Sequence, residues 1–387
     1  MSFLNTIRLA LVWLAAVAAA AASAQDPVAV VGAVISQTGA HAELAQEYGR
    51  GLEVWRDEVN AAGGLLGRRV ELRVLDDGSQ ALRAGPLYAQ LIKEEKVDLL
   101  VGPYGSAATL VAASESERAR RVMVNGAGPA AAPHARGPRY LFQSALPYAS
   151  YGMEALQTAT EAGLQRIFIV ARDDVASREA AEALRAAAAA QQLTVNDIEV
   201  YRPGTLDYTV QVARARAAAA DAWIAFGDVR DAAEMVKTFK RLDYAPKLFF
   251  AQGAAHPRFT ALLGQDAEWS LGAADFDPRL GGLARSFAKA YAAKFDAPPG
   301  LAAAEGYAAG SVLAAGVRAA GTFAQESLRA ALAELETTTV LGEYRVAPDS
   351  GAQIGARPRV VQIRLGRPEP GTPLLPYPQW DERALIK

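Results

Sequence analysis

Residues able to do covalent chemistry are few in this chain and scattered along it. There is no cysteine, and the three histidines, His41, His134 and His256, do not stand at metal-ligand spacing. No Gly-x-Ser-x-Gly elbow, Walker loop or His-Glu-x-x-His motif occurs. The sequence offers small polar loops instead. Gly102-Pro103-Tyr104-Gly105-Ser106-Ala107-Ala108-Thr109 follows an apolar run and opens a helical pattern. Ser106 suits an N-cap, and the free N–H groups of that first turn suit a carboxylate or other anion, with Thr109 adding a hydroxyl. A plain structural cap fits the same residues equally well. Ser36-Gln37-Thr38-Gly39 places hydroxyl and amide groups at a second strand end. Gly126-Ala127-Gly128-Pro129-Ala130-Ala131 imitates a dinucleotide fingerprint. Pro129 falls inside the turn, however, and the loop is not the first strand-to-helix turn of its unit, so a tight loop for close backbone approach is the better reading. Asp76-Asp77 beside Gly78-Ser79 reads as a turn rather than an acid–base pair.

Further along, three strand ends carry polar groups: Arg172-Asp173-Asp174, Asp228-Val229-Arg230 and Gln252. Arg172 or Arg230 would grip a carboxylate bidentately, and Asp228 would meet a cation. The alternative for each is a solvated rim. Tyr104, Tyr148 and Tyr151 would supply flat walls, Tyr151 being the weakest of the three because it sits within a helical pattern.

These loops hang on an alternation of short β-branched runs and amphipathic segments. Val28–Val34 reads as a buried strand, and Leu44, Tyr48, Leu52, Trp55 and Val59 form a helical stripe that Gly63-Gly64 ends. Strands at Val70–Leu75, Val97–Val101 and Val122–Val124 follow, separated by helices at Pro86–Lys93 and from Ser106 to about Arg120. The alternation then restarts. Strands are expected at Ile167–Val170, Val195–Tyr201, Ala222–Phe226, Leu248–Ala251 and Leu271–Ala274. Helices are expected at Ser150–Ala162, Arg178–Gln192, Tyr208–Ala219, Asp231–Leu242, Leu283–Lys294, Ala302–Ala320 and Gln325–Glu336. The order implies an α/β protein of two doubly wound parallel sheets, with ligand loops at the strands' carboxyl ends. From Pro368 the chain is proline-rich and expected to be extended.

Composition narrows the function classes. The 387 residues are 51% hydrophobic and 21% charged, which is globular, and 40 basic residues nearly balance 42 acidic ones. That balance gives no basic footprint for nucleic acid and no polybasic membrane surface. The apolar run Leu9–Ala22, with Arg8 before it and Ala22-Ser23-Ala24 after it, reads as a signal peptide cleaved before Gln25. Export without cysteine fits a bacterial periplasm.

Taken in order, several segments resemble the periplasmic solute-binding proteins of the branched-chain amino acid (Leu/Ile/Val) class that serve ABC transporters. They are Ser36–Gly39, Asn60-Ala61-Ala62-Gly63-Gly64-Leu65-Leu66-Gly67-Arg68, Asp76-Asp77, Gly102–Ser106, Tyr140-Leu141-Phe142-Gln143 and Pro378-Gln379-Trp380-Asp381-Glu382-Arg383. The resemblance runs from about Val28 to Arg383. It implies the type I periplasmic binding fold, with residues 25–144 and 275–341 in lobe 1, 145–274 and 342–365 in lobe 2, and 366–387 as a tail. Crossovers are expected near Gln143–Pro147, Gly272–Phe276 and Leu341–Tyr344, with closure by a hinge. It also implies a monomer without metal or cofactor, no catalysis, and partners comprising a small carboxylate ligand, an ABC permease and its ATPase subunits.

By the same resemblance, the ligand's carboxylate and ammonium would lie between Gly105-Ser106-Ala107 and Gly126-Ala127-Gly128-Pro129; with these loops, Ser36, Tyr104, Thr109, Tyr148, Arg172, Asp228 and Gln252 make up the candidate site. The chain departs from the family pattern at Pro129 (for a threonine), Gln252-Gly253 (for an acid), Asp228 (for a tyrosine) and Leu44 (for an aromatic). Ammonium recognition therefore looks altered, and the expectation is a small carboxylate ligand that need not be an α-amino acid, either branched-chain amino acid-like or an aromatic or aliphatic acid. A ligand-sensing receptor of the same fold and a secreted α/β enzyme are the alternatives.

Overall fold

The computed structural model describes residues 27–382 apart from 196, 280 and 371–374. The expected signal peptide, and Arg383 at the end of the matching segments, lie outside the described residues. No helix among them is long and apolar enough to cross a membrane.

Lobe 1 is built on a parallel sheet of five strands: β1 (Val28–Val34), β2 (Arg69–Leu75), β3 (Leu99–Val101), β4 (Met123–Asn125) and β5 (Leu141–Gln143). Their spatial order is β2-β1-β3-β4-β5, in register through Val31 beside both Leu72 and Leu99, and Val124 beside Phe142. All three residues of β3, β4 and β5 are buried, so apolar side chains on both faces favour a covered parallel sheet. Val31 and Ala33 face one core with Tyr48, Leu52 and Trp55 of α1 (Ala42–Ala61). Val34 and Leu100 face another, with α2 (Ala84–Lys93) and α3 (Ser106–Ala119).

Lobe 2 begins with α4 (Tyr148–Glu161) and β6 (Arg166–Arg172), then α5 (Val175–Ala190), β7 (Thr194–Val195) and β8 (Glu199–Tyr201). It continues through α6 (Thr209–Ala217), β9 (Ala222–Phe226), α7 (Val229–Arg241), β10 (Leu248–Ala251), α8 (Pro257–Leu263) and β11 (Leu271–Ala274). The chain then returns to lobe 1 for α9 (Gly282–Phe295), α10 (Leu301–Ala320), α11 (Gln325–Ala333) and the hairpin β12 (Thr337–Thr339) and β13 (Gly342–Tyr344). It ends in lobe 2 with β14 (Arg359–Arg364) and β15 (Arg367–Pro370). The second sheet runs β15-β14-β11-β10-β9-β6-β7, with β8 also on β6, and β14 is antiparallel to both of its neighbours.

Several details differ from the sequence reading. The expected strand Val195–Tyr201 is two short strands that pair with different parts of β6. Residues 367–370 join the sheet as β15 instead of starting a free tail. The last passage between lobes falls between Gln353 and Arg359, against an expected position near Leu341–Tyr344. Tyr344 and Val346 are buried in the lobe 1 core, and Gly351 O still accepts from Gln143 N of β5 at 2.8 Å.

Chain order reverses at two places. From β1 the chain goes to β2 on one side and β3 on the other; from β6 it goes to β8 on one side and β9 on the other. Such switch points leave a crevice at the carboxyl ends of the strands. Both crevices hold the polar loops singled out from sequence.

Candidate ligand-binding site

On lobe 1, the β3 and β4 loops are laced together. Tyr104 bridges Ala127, and Gly105 N donates to Ala127 O at 2.9 Å. Ser106 Oγ accepts from Ala130 N at 3.0 Å. The Asn125 amide closes the second loop on itself, accepting from Gly128 N and donating to Gly128 O, both at 2.8 Å. His134 backs that amide: its Nε2 lies 3.4 Å from Asn125 Nδ2 and its Nδ1 lies 2.9 Å from Ser350 O. Burial lowers the pKa of His134 and so favours the neutral ring. Gly128 is required by contact, since a Cβ there would sit 2.4 Å from Thr109 Oγ1 and 2.8 Å from Asn125 Oδ1.

No side chain caps α3. Ser106, the expected N-cap, is its first helical residue, and its hydroxyl is turned to Ala130. The first-turn N–H groups around the exposed Ala107 are thus left for another acceptor. Together with the positive end of the helix dipole, they suit an anion such as a carboxylate.

On lobe 2, Tyr148 opens α4, and its hydroxyl lies 3.1 Å from both Gly227 O and Gln252 Oε1. Its ring meets Tyr151 edge-on at 5.5 Å. Asp228 caps α7 in a capping box with Asp231, and its other oxygen pairs with Arg172 Nη1. Pro129 O accepts from Tyr148 N at 2.9 Å, tying the ligand loop to the first residue of lobe 2.

The floor of the cleft was not anticipated from sequence. Glu47 of α1, Glu305 of α10 and Asp275 just after β11 converge there. Asp275 Oδ2 accepts from the Tyr151 hydroxyl, while its Oδ1 is buried and has no hydrogen-bond partner among the described residues. Burial pushes the Asp275 carboxyl well above the usual carboxylate range. Glu305 is pushed up by burial, then by the negative charges of Asp275 and Glu47. Glu47 is raised by burial, even though it accepts from Gly300 N. The Tyr104 hydroxyl is raised by burial and then by Glu305, Glu47, Tyr148 and Asp228. One local signal could have exposed Glu305: it is the only charged residue of α10 before Arg318.

The structure thus brings together Tyr104, Gly105, Ser106, Ala107, Gly126, Ala127 and Gly128 from lobe 1, with Tyr148, Arg172, Asp228 and Gln252 opposite. Two expected hydroxyls are turned elsewhere. Ser36 is 2% exposed and donates to Asp77 Oδ1 at 2.6 Å, bracketing the ends of β1 and β2. Thr109 is fully buried and donates to Gly105 O of its own helix at 3.0 Å. Arg172 is engaged by Asp228, so neither is an unpaired charge.

Residues 28–367 match the family described as periplasmic binding protein. The chain belongs to that family. It is 30% identical over 90 residues to an amino acid binding protein of Pseudomonas aeruginosa, covering 23% of this chain and 24% of that one. It is 36% identical over 115 residues to the Leu/Ile/Val-binding protein homolog 8 of Brucella abortus, covering 29% and 28%. The chain therefore spans only about a quarter of the length of these curated relatives. Among solved structures, a leucine binding protein of Thermotoga maritima superposes with a TM-score of 0.78 at 21% identity, over 89% of this chain and 98% of that one. A Rhodopseudomonas palustris solute binding protein in complex with benzoate gives 0.75 at 20% identity, over 91% and 98%. These likenesses show the fold, the type I periplasmic binding fold expected from sequence.

Proposed function

We propose that this periplasmic binding protein is the solute receptor of an ABC importer. It would work in the periplasm as a monomer after loss of residues 1–24, close on its solute by a hinge and dock on the permease. The observation that carries the reading is the uncapped N-terminus of α3, laced to the β4 loop and facing Tyr148. That arrangement binds a carboxylate without covalent chemistry, because backbone N–H groups and a helix dipole are already aimed at it.

The acidic floor refines the solute. Three carboxyls raised in pKa by burial, Glu305 also by the charges of Asp275 and Glu47, are a costly arrangement until a cation enters. An ammonium beside Glu305 and Asp275 would relieve it. On this reading the acid missing at Gln252 is supplied from other elements, and of the amino acid-like and simple acids both expected from sequence, an amino acid fits better. The relatives described as amino acid binding and Leu/Ile/Val-binding support this class.

A thermal-shift screen pairing leucine with 4-methylpentanoate, and phenylalanine with benzoate, tests it. At roughly 100 times its dissociation constant, a ligand stabilises the fold by about 2.7 kcal/mol. Shifts with the amino acids alone are expected. Shifts with the acids alone would overturn the ammonium assignment, and turnover of any solute would overturn the receptor reading.

A further inference from the structure

Glu179 lies on α5 of lobe 2, yet its hydrogen bonds go to lobe 1. Its Oε2 accepts from Ala131 N at 2.6 Å and from Ala132 N at 3.2 Å, and its Oε1 accepts from Ala132 N at 3.1 Å. Ala131 and Ala132 begin a turn in which Ala131 O accepts from His134 N at 2.9 Å. Successive N–H groups at the start of such a turn form a concavity that favours an anion. The neighbouring charges on α5 are spent elsewhere: Arg178 pairs with Asp173, and Glu182 with Arg185. No lysine or arginine among the described residues pairs with Glu179.

The residue gripped matters. Ala130 N, one position earlier, donates to Ser106 Oγ at the start of α3, and Pro129 ends the ligand loop. Three successive N–H groups therefore run from the carboxylate site in lobe 1 to a side chain of lobe 2. An ion pair across the cleft, Arg258 with Glu43, is 3.6 Å long and exposed, and such pairs contribute little. Hydrogen bonds to an ionised carboxylate are about twice as strong as neutral ones.

We propose that Glu179 is a closure latch, a positioning residue that holds the two lobes together without touching solute. This rests on the reading of the cleft as a solute site that closes. The latch gives the solute-free protein a standing population of closed molecules and slows opening once solute is bound.

Because the chain has no cysteine, Leu82→Cys on lobe 1 and Leu206→Cys on lobe 2 give two unique labelling sites, 81% and 72% exposed. Pulsed electron–electron distance measurements between spin labels there, on solute-free protein, read the closed-to-open ratio directly. Glu179→Ala is expected to lower that ratio at least tenfold and Glu179→Gln by less, with the melting temperature unchanged. Glu182→Gln, one turn along the same helix, is expected to leave it unchanged. An identical distance distribution in Glu179→Ala, no closed population in the parent protein, or an equal effect of Glu182→Gln would each overturn the proposal. Failure of the solute reading would appear as a silent thermal-shift screen and would not alter these distances.

Discussion

Asp275 is the residue whose chemistry is least settled by its neighbours, since one oxygen is buried without a partner. Its carboxyl is raised by burial, so the folded protein holds a proton there that the unfolded chain releases at ordinary carboxylate pH. The stability tied to that proton is complete below the unfolded pKa and is lost as pH rises towards the folded one. Asp275→Asn keeps an acceptor for Tyr151 and removes the cost of keeping an ionisable carboxyl there. It should raise the solute-free melting temperature at pH 7 relative to the parent, by a margin that shrinks on acidification towards pH 4. A lower melting temperature at pH 7 would refute this account. Solute binding should report the same groups. If an ammonium pairs with Glu305 and Asp275, both raised in the free protein, binding releases protons and affinity increases with pH, by up to about tenfold per unit for each proton released. Calorimetry of leucine in buffers of different ionisation enthalpy measures the proton count, and a count of zero would count against the pairing.

Elements are held at their tightest where α1 crosses α10. A Cβ on Gly306 would stand 2.0 Å from Tyr48 O, so the helices touch backbone to backbone. Overpacking here costs about 3 kcal/mol, and alanine's better helix propensity returns about 1. Gly306→Ala should therefore destabilise the fold by about 2 kcal/mol in a denaturant titration. The closing segment is a second such element. Tyr377 N donates to Lys247 O at 2.9 Å, Trp380 Nε1 donates to Tyr244 O at 2.8 Å, and the Tyr377 ring meets Phe249 edge-on. Trp380→Ala should raise amide exchange in α7 and β10 while leaving lobe 1 protected. Elements of this kind also mark what the sequence made legible. β1, β9 and β10 matched their expected spans, because unbroken apolar runs between turn residues read plainly as covered strands. β5, β12 and β13 have three residues each, too few to show a period, and β14 lies beyond a loop in a stretch read without a strand. The loops of the site were legible as strand ends. Its acidic floor was not, because Glu47, Asp275 and Glu305 come from three elements that only the crossovers bring together.

At the scale of the molecule, the lobes share more than a hinge. A single buried cluster joins Val54, Phe287, Tyr291, Ala303 and Ala308 of lobe 1 to Tyr151, Ile169, Leu184 and Phe250 of lobe 2. Removing either lobe's half would leave the other's apolar surface in water. Calorimetry of the solute-free protein should therefore show one endotherm with equal calorimetric and van't Hoff enthalpies. Two resolved transitions would mean that the shared cluster does not couple the lobes.

The crossing of α1 over α10 also sets a clock. Tyr48, Leu52 and Trp55 emerge early in synthesis, but their partner surface lies at residues 302–317. At 5–20 residues per second, the first helix waits roughly 10–50 s for the segment that covers it. Lobe 2 finishes later still, because β14 separates β11 from β15 and is made almost last. Neither half can finish alone during that interval. Until its final quarter exists, the nascent polypeptide cannot close either of its cores.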